Sequence, residues 1–169
     1  MRKVWFGAAL ALLITVLEVG PAGATRVPVL SGTATSTGLS HTELFTNGCT
    51  IYIVIDGTFT GQFIAGPAAT RSETGSVHVV ACGDFAPIGI VDTGIFTLTT
   101  GIGTLTGTEV ALTNFDGSVG LTTATWTVTG GTGAYNKVKG TITINQVVST
   151  TTVPLQFASS STMSFDLTR

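Results

Sequence analysis

The chain has 169 residues, of which only 7 are Lys or Arg and 9 are Asp or Glu, so its formal net charge at pH 7 is −2. Recognition of nucleic-acid phosphates needs clustered basic side chains, and because this composition offers no basic patch, nucleic acid is excluded as a partner. About one residue in five is threonine, a β-branched residue that keeps the exposed face of a pleated sheet polar without charge.

The first element, residues 1–24, has the pattern of a secretory signal peptide. Arg2-Lys3 provides the positive start, an apolar run extends from Val4 to Leu17, and the small residues at 22–24 offer a cleavage site. A transmembrane anchor is the alternative, but the run is shorter than the roughly 20 apolar residues that span a bilayer. The sequence therefore predicts a secreted, extracellular protein whose residues 25–169 form a single β-barrel domain, with no membrane span after cleavage.

The rest of the chain has a hydrophobic period of two, which is typical of strands. Eight strands separated by turn signals predict an all-β fold, an eight-stranded antiparallel up-and-down β-barrel, since closure removes exposed strand edges. A two-sheet β-sandwich is the alternative. A transmembrane barrel is disfavoured because threonine occupies faces that lipid would require to be apolar. The predicted strands lie near residues 30–37, 50–63, 69–82, 89–100, 103–112, 118–129, 138–148 and 161–168.

The central three strands can be placed in register from their turns. Gly101-Ile102 and Asp116-Gly117 fit two-residue hairpin loops. These loops pair Leu98 with Leu105, and Leu105 with Val128. The two turn assignments independently put apolar side chains on one face and threonines on the other, which indicates an inner and an outer wall.

The predicted inner face carries one acidic side chain among apolar ones. Phe96 and Trp126 lie on this face on either side of a glycine, and Glu109 points the same way with two small neighbours, Gly94 and Ala124. Small neighbours leave room for water or a ligand group, and burial would raise the pKa of the Glu109 carboxyl. The alternative is that Glu109 lies near a strand end and reaches solvent at the rim.

Two cysteines, Cys49 and Cys82, in a chain predicted to be exported indicate a disulfide. If they close the open end of a hairpin whose loop lies near residues 64–67, Ile53 faces His78 and the histidine joins the inner face. His78 is then a second candidate polar group for an interior site, although an inward histidine is more often a satisfied core residue.

Motifs for catalysis or metal binding are missing from the sequence. No Gly-x-Ser-x-Gly elbow occurs, and the two histidines, His41 and His78, have neither metalloprotease nor zinc spacing. The glycine-rich segment 130–133 joins two strands, whereas a phosphate-binding loop opens a helix. The sequence therefore predicts no metal site and no cofactor, and it identifies no catalytic residue.

One segment resembles a known family. The strand and turn Ala124–Tyr135, whose turn reads Gly-Gly-Thr-Gly-Ala-Tyr, together with Gly140, is similar to the strand–turn–strand signature of allene oxide cyclase-like and dirigent-like barrels. The similarity is greatest to the small secreted bacterial members of that group. The resemblance implies an eight-stranded antiparallel barrel around an apolar cavity that guides a small molecule largely by shape. No catalytic residue of those proteins can be placed on this sequence.

These patterns leave three functions open. The first is a secreted barrel that binds or sterically guides a small apolar ligand, with candidate ligand-binding residues Glu109, His78, Phe96 and Trp126. The second is a structural or surface-interaction barrel with a filled core and no ligand. The third is a cofactor-free cyclase or isomerase that uses Glu109 as acid or base. An interior cavity would separate the first and third from the second.

Overall fold

The structure is a computed structural model that describes residues 28–65, 69–116, 118–150 and 156–168. The predicted signal peptide, residues 1–24, lies outside the described residues. No helix within the described ranges is long and apolar enough to cross a membrane. The elements in these ranges are β1 (Pro28–Leu44), β2 (Ile51–Ala65), β3 (Ala69–Ala86), β4 (Gly89–Thr100), β5 (Gly103–Asp116), β6 (Val119–Gly131), a 3-10 helix (Gly133–Tyr135), β7 (Lys139–Thr150) and β8 (Gln156–Thr168).

The strands form one closed barrel in which each strand pairs with its neighbours in sequence and β8 pairs with β1. All of these pairings are antiparallel, and the closing one runs without a break from Leu30 paired with Leu167 to His41 paired with Gln156. The predicted eight-stranded up-and-down barrel is therefore confirmed, and the two-sheet sandwich is excluded. Closure gives every strand two neighbours, so no described strand has a free edge on which another chain could pair.

Alternating side chains explain why these segments form barrel walls. In the central part of β5 and β6 every second residue is buried, and the residues between them are exposed. Threonine is the commonest residue at the exposed positions, for example Thr106, Thr108, Thr125 and Thr127. Since threonine suits a pleated, solvated surface, the sequence marks which face of β5 and of β6 is the outside.

The predicted register is right for one central hairpin and wrong for the other. Between β4 and β5, Leu98 pairs with Leu105, as the turn residues indicate. Between β5 and β6, Glu109 pairs with Trp126 rather than with Ala124, a shift of two residues, because the chain turns one residue later than predicted. Side chains alternate with a period of two, so from Gly107 to Asp116 this shift keeps the residues on their predicted faces. An irregularity between Thr106 and Gly107 changes the register further, so that Leu105 pairs with Gly131, and the predicted pairing of Leu105 with Val128 is wrong.

The predicted register of the β2–β3 hairpin is wrong by three residues. His78 pairs with Asp56 rather than with Ile53 because Cys49 lies in the β1–β2 loop and not opposite Cys82 in the ladder. An odd shift reverses the two faces of a strand. His78 therefore lies on the outer surface, where its Nδ1 is 2.8 Å from Oδ1 of Asp56. The prediction that His78 belongs to an interior site is wrong.

The chain between β6 and β7 closes one end of the barrel. Gly133 has φ of +58°, a left-handed conformation that glycine adopts without strain, and it opens the 3-10 helix. Tyr135 and Val138 are buried beneath the turn, and the Thr100 hydroxyl donates a 3.3 Å hydrogen bond to Tyr135 Oη. The glycine-rich segment thus joins two strands, as predicted, and the turn that it forms lies at one end of the barrel with Tyr135 packed beneath it.

Candidate ligand-binding cavity

The barrel interior is filled in one half and open in the other. In the half next to the 3-10 helix, large buried side chains occupy the axis, among them Phe96, Leu98, Leu105 and Ile142. In the other half lies a cavity of about 360 Å³, bounded by inward residues from all eight strands. This volume lies in the range of small-molecule sites in proteins.

Small inward side chains create the open half. The strands of a closed barrel are held apart by their hydrogen-bonded neighbours, so a small side chain leaves space instead of letting the walls approach. Serine, glycine and alanine occupy inward positions where the other half has phenylalanine and leucine. These small residues are Ser36, Gly38, Ser40, Gly57, Ala111, Ala124, Ser159 and Ser161.

Aliphatic and aromatic side chains form the rest of the wall and the mouth. Large apolar side chains at strand ends, Leu44, Phe85 and Phe115, line the cavity and are also exposed to solvent. Exposed apolar groups around an opening to an apolar interior are typical of an entrance for apolar molecules. Deeper in the cavity the apolar lining residues are Ile51, Ile53, Ile55, Val77, Val79, Ile144 and Met163.

Two buried acidic side chains lie together on the cavity wall. Asp92 of β4 and Glu109 of β5 are 6% and 5% exposed, and their carboxyls are hydrogen-bonded to each other. The indole Nε1–H of Trp126 donates a 2.7 Å hydrogen bond to Oε2 of Glu109. Glu109 therefore points inward as predicted, and the alternative that it reaches solvent at the rim is wrong.

Burial raises the pKa of both carboxyls. Desolvation raises the pKa of Glu109 from 4.5 to about 8, the charge of Asp92 adds to the increase, and the hydrogen bond from Trp126 opposes it. Desolvation also raises the pKa of Asp92 from 3.8 to about 6, against the effect of the hydrogen bond from Glu109. Near neutral pH the pair therefore holds one proton, as carboxyls that share a buried site do. In that state the pair can both donate and accept a proton.

Phe96 holds Trp126 in place from the side away from the cavity. The two rings are stacked, with centroids 4.4 Å apart and an interplanar angle of 16°. Such a pair contributes about 0.5–1.5 kcal/mol beyond the burial of its surface. Trp126 lines the cavity whereas Phe96 lies behind it, so Phe96 positions the indole that binds Glu109 and does not form the wall.

The uncharged polar side chains of the wall bind one another across strands. The hydroxyls of Thr113 and Thr122 are 2.7 Å apart, and those of Ser36 and Ser161 are 2.5 Å apart. These pairs satisfy hydroxyls that would otherwise be buried without partners. Among the described residues that line the cavity, the ionisable ones are Asp92 and Glu109.

The structure places Glu109, Trp126 and Phe96 on the inner face, as the sequence predicts, and leaves His78 outside. Of the three inward residues, Glu109 and Trp126 line the cavity, whereas Phe96 does not, so its predicted place in the ligand-binding wall is wrong. It adds Asp92, which sequence reasoning missed. A signal for Asp92 was present, because Asp92 and Phe96 are four residues apart on one strand and must share a face.

The predicted disulfide is present and lies at the mouth of the cavity. Cys49 and Cys82 are joined with their Cα atoms 5.2 Å apart, which ties the β1–β2 loop to β3. Phe45 in that loop has φ of +56° and is 79% exposed. The loop thus holds an aromatic side chain in solvent near the entrance, in a backbone conformation that residues other than glycine rarely adopt. A disulfide is compatible with a secreted protein.

In the described part of the chain, no group of three or more His, Cys, Asp or Glu side chains is arranged to hold a metal ion. Comparisons of the chain with models of protein families, with curated proteins and with solved structures find no match. Function must therefore be inferred from the cavity and its side chains.

Proposed function

We propose that this protein is a secreted barrel that binds a small, mostly apolar molecule in its interior. The open half of the barrel, a cavity of about 360 Å³ whose wall combines small residues with isoleucine, valine and aromatic side chains, carries the proposal. Burying apolar ligand surface against such a wall contributes about 25 cal/mol per Å². The disulfide and the signal-like residues 1–24 support export to an oxidising compartment.

The open half of the barrel weighs against the alternative of a structural barrel with a filled core. A structural barrel gains stability from large interior side chains, yet this chain places Ala111 and Ala124 opposite each other at inward positions of β5 and β6. Larger residues there would fill the space, and vacant space in a core costs stability. Space that is kept open beneath an apolar mouth supports ligand binding over a purely structural role.

Trp126 makes binding in this cavity directly measurable. The chain contains two tryptophans, Trp5 and Trp126, and Trp5 lies in the segment predicted to be removed. Trp126 lines the cavity, so its fluorescence reports on an occupant. Pyrene is a neutral hydrocarbon whose absorption overlaps tryptophan emission. We expect pyrene to quench Trp126 by energy transfer, with saturation at one pyrene per chain.

Two filling variants and one surface variant test where the pyrene binds. Ala111→Phe and Ala124→Phe place a ring in the cavity and should weaken pyrene binding by about tenfold or more. Val110→Phe adds the same ring one residue away on the exposed outer face, so it should leave binding unchanged. Equal binding in all three variants would mean that pyrene binds elsewhere and would overturn the proposal. If the cavity variants weaken binding as expected, native mass spectrometry of protein taken from its own culture medium would identify a natural occupant.

The acid pair favours a second candidate function, a cofactor-free isomerase or cyclase. At neutral pH Glu109 can protonate a bound molecule while Asp92 accepts a proton, and the apolar cavity strengthens both interactions. Glu109→Gln should then abolish turnover of a bound substrate while pyrene still binds. Turnover that survives this substitution would remove acid–base catalysis by Glu109 from consideration.

A further inference from the structure

The described residues that line the cavity include acidic side chains but no basic ones. Its lining comes from all eight strands, and the titratable groups among the described lining residues are Asp92 from β4 and Glu109 from β5. Neither lysine, arginine nor histidine is among them. The other six strands contribute apolar side chains, glycine, serine, threonine, glutamine and Trp126 to the same wall.

An ionised carboxylate in such a place is costly. Transfer of a charge from water into apolar surroundings is unfavourable unless the charge is paired and hydrogen-bonded. Glu109 receives a hydrogen bond from Trp126, but the described hydrogen bond of Asp92 is made with Glu109, another acid. Asp92 is 6% exposed and faces the cavity, so an occupant can reach it where bulk water has little access.

We propose that the molecule bound in this cavity is an amphiphile with a protonated amine, whose ammonium group binds Asp92 and Glu109 while its apolar body extends toward the mouth. This inference rests on the proposed ligand-binding function and names the ligand class. An ammonium group carries three donors and one positive charge, which match two carboxyls that lack a basic partner. The apolar body would lie against Ile51, Ile53 and Ile55.

Ligands of other charge fit the same wall less well. A carboxylate at this depth would lie beside two acids and would be repelled. An alcohol could bind to the wall but would leave the negative charge of the pair uncompensated. An alkylammonium group, with a pKa like that of lysine at about 10.4, stays charged throughout the range in which the acid pair titrates.

Three eight-carbon probes separate these possibilities: n-octylammonium, n-octanol and n-octanoate. Isothermal titration calorimetry at pH 8 should show octylammonium binding about tenfold to a hundredfold more tightly than octanol, since hydrogen bonds to charged groups are worth about 1.5–3 kcal/mol. Octanoate should bind more weakly than octanol. At pH 7, titrations in two buffers of different ionisation enthalpy should show that octylammonium releases a proton, because its charge favours the ionised form of Glu109.

Variants locate the preference at the acid pair. In the double variant Asp92→Asn/Glu109→Gln, octylammonium should lose its advantage while octanol still binds, which also shows that the barrel is folded. Thr108→Val removes a hydroxyl one residue away from Glu109 but on the exposed outer face of β5, so it should keep the preference for the amine.

The outcomes distinguish this inference from the proposed function. Equal affinities for octanol and octylammonium, or amine binding without proton release, would overturn the amine inference and leave an apolar binding site in place. A preference that persists in the double variant would also overturn it, because the charge recognised would lie elsewhere. Failure of all three probes and of pyrene to bind would overturn the proposed function itself.

Discussion

Trp126 and Glu109 are direct cross-strand partners, and the indole Nε1–H of Trp126 donates a 2.7 Å hydrogen bond to Oε2 of Glu109. Pairing in the ladder fixes the two Cα positions, and the stacked ring of Phe96 fixes the plane of the indole. The donor therefore stays aimed at a carboxyl that burial pushes toward its neutral form. Because a hydrogen bond from a donor favours the charged form of a carboxyl, Trp126 limits how far the pKa of Glu109 rises.

Trp126→Phe should therefore raise the pKa of Glu109 further. Phenylalanine keeps an aromatic ring against Phe96 but has no N–H to donate, so the ionised carboxylate loses its stabilising partner. A ¹³C NMR titration of the glutamate side-chain carboxyls measures the change, and the resonance that is missing from Glu109→Gln identifies residue 109. An unchanged or lowered pKa in Trp126→Phe would contradict the role assigned to the indole.

The acid pair should make the folded barrel less stable as pH rises. The unfolded chain loses the Glu109 proton near pH 4.5, whereas the folded chain keeps it until about pH 8. Between these values the folded state binds more protons than the unfolded state, so the free energy of unfolding decreases with increasing pH. Asp92 adds to the decrease between its values of 3.8 and about 6.

Glu109→Gln removes the larger part of this dependence. The variant should be more stable than the wild type at pH 9, by roughly a few kcal/mol, and close to it at pH 5, where Glu109 is protonated in the folded state. Thermal unfolding measured from pH 5 to pH 9 tests this. A stability difference that is the same at both ends of the range would show that Glu109 does not titrate as burial requires.

Much of the wall could be predicted because alternation and threonine content report faces locally. Glu109 and Trp126 fall on the inner face whichever of two registers is chosen, since a two-residue shift preserves faces. The predicted face of His78 is wrong because the β2–β3 register is derived from the assumption that Cys49 lies directly opposite Cys82. That register differs from the observed one by an odd number of residues. The alternating pattern of the strand also puts Asp92 on the inner face. Asp92 lies diagonally opposite Glu109 on the neighbouring strand rather than directly across from it, so the pattern alone does not reveal their contact.

The cavity itself could not be predicted from the sequence. Its volume depends on which small side chains meet where the barrel closes, such as Ser36 of β1 and Ser161 of β8, which are ladder partners although they are far apart in the chain. A pattern of period two says that both residues face inward but not how deeply they lie or what fills the axis between them. That information arises only when the barrel closes.

Gly107 is a position where the chain should tolerate a side chain poorly. A Cβ at this position would lie 2.0 Å from the carbonyl oxygen of Thr127 and 2.7 Å from the Phe96 ring. Gly107→Ala should lower the free energy of unfolding by at least about 2 kcal/mol, because backbone and ring must both shift. Denaturation in guanidinium chloride, followed by Trp126 fluorescence, measures the loss.

Gly130→Ala is the matched control for this substitution. A Cβ at Gly130 meets only the end of the Thr106 side chain, at 3.2 Å, and that hydroxyl can rotate away. Its stability should stay within about 0.5 kcal/mol of the wild type. Similar stabilities for the two alanine variants would mean that Gly107 is not packed between Phe96 and the β6 backbone as the structure has it.

The disulfide should stabilise the barrel by anchoring its mouth loop. Cys49 and Cys82 are 33 residues apart in sequence, and a link that closes a loop of this length restricts the unfolded chain by about 3–4 kcal/mol in the chain-entropy description. The double variant Cys49→Ala/Cys82→Ala should lose roughly that much stability in guanidinium chloride. Reducing agent should destabilise the wild type by a similar amount and leave the double variant unchanged. The link also holds residues 45–50 against β3. Hydrogen exchange in the double variant should therefore accelerate most at the backbone amides of positions 45 and 49, which in the wild type donate to the carbonyls of Thr50 and Thr46 within that loop. Uniform acceleration over the whole barrel, with no excess in this loop, would show that the disulfide acts only on the unfolded chain and does not order the mouth.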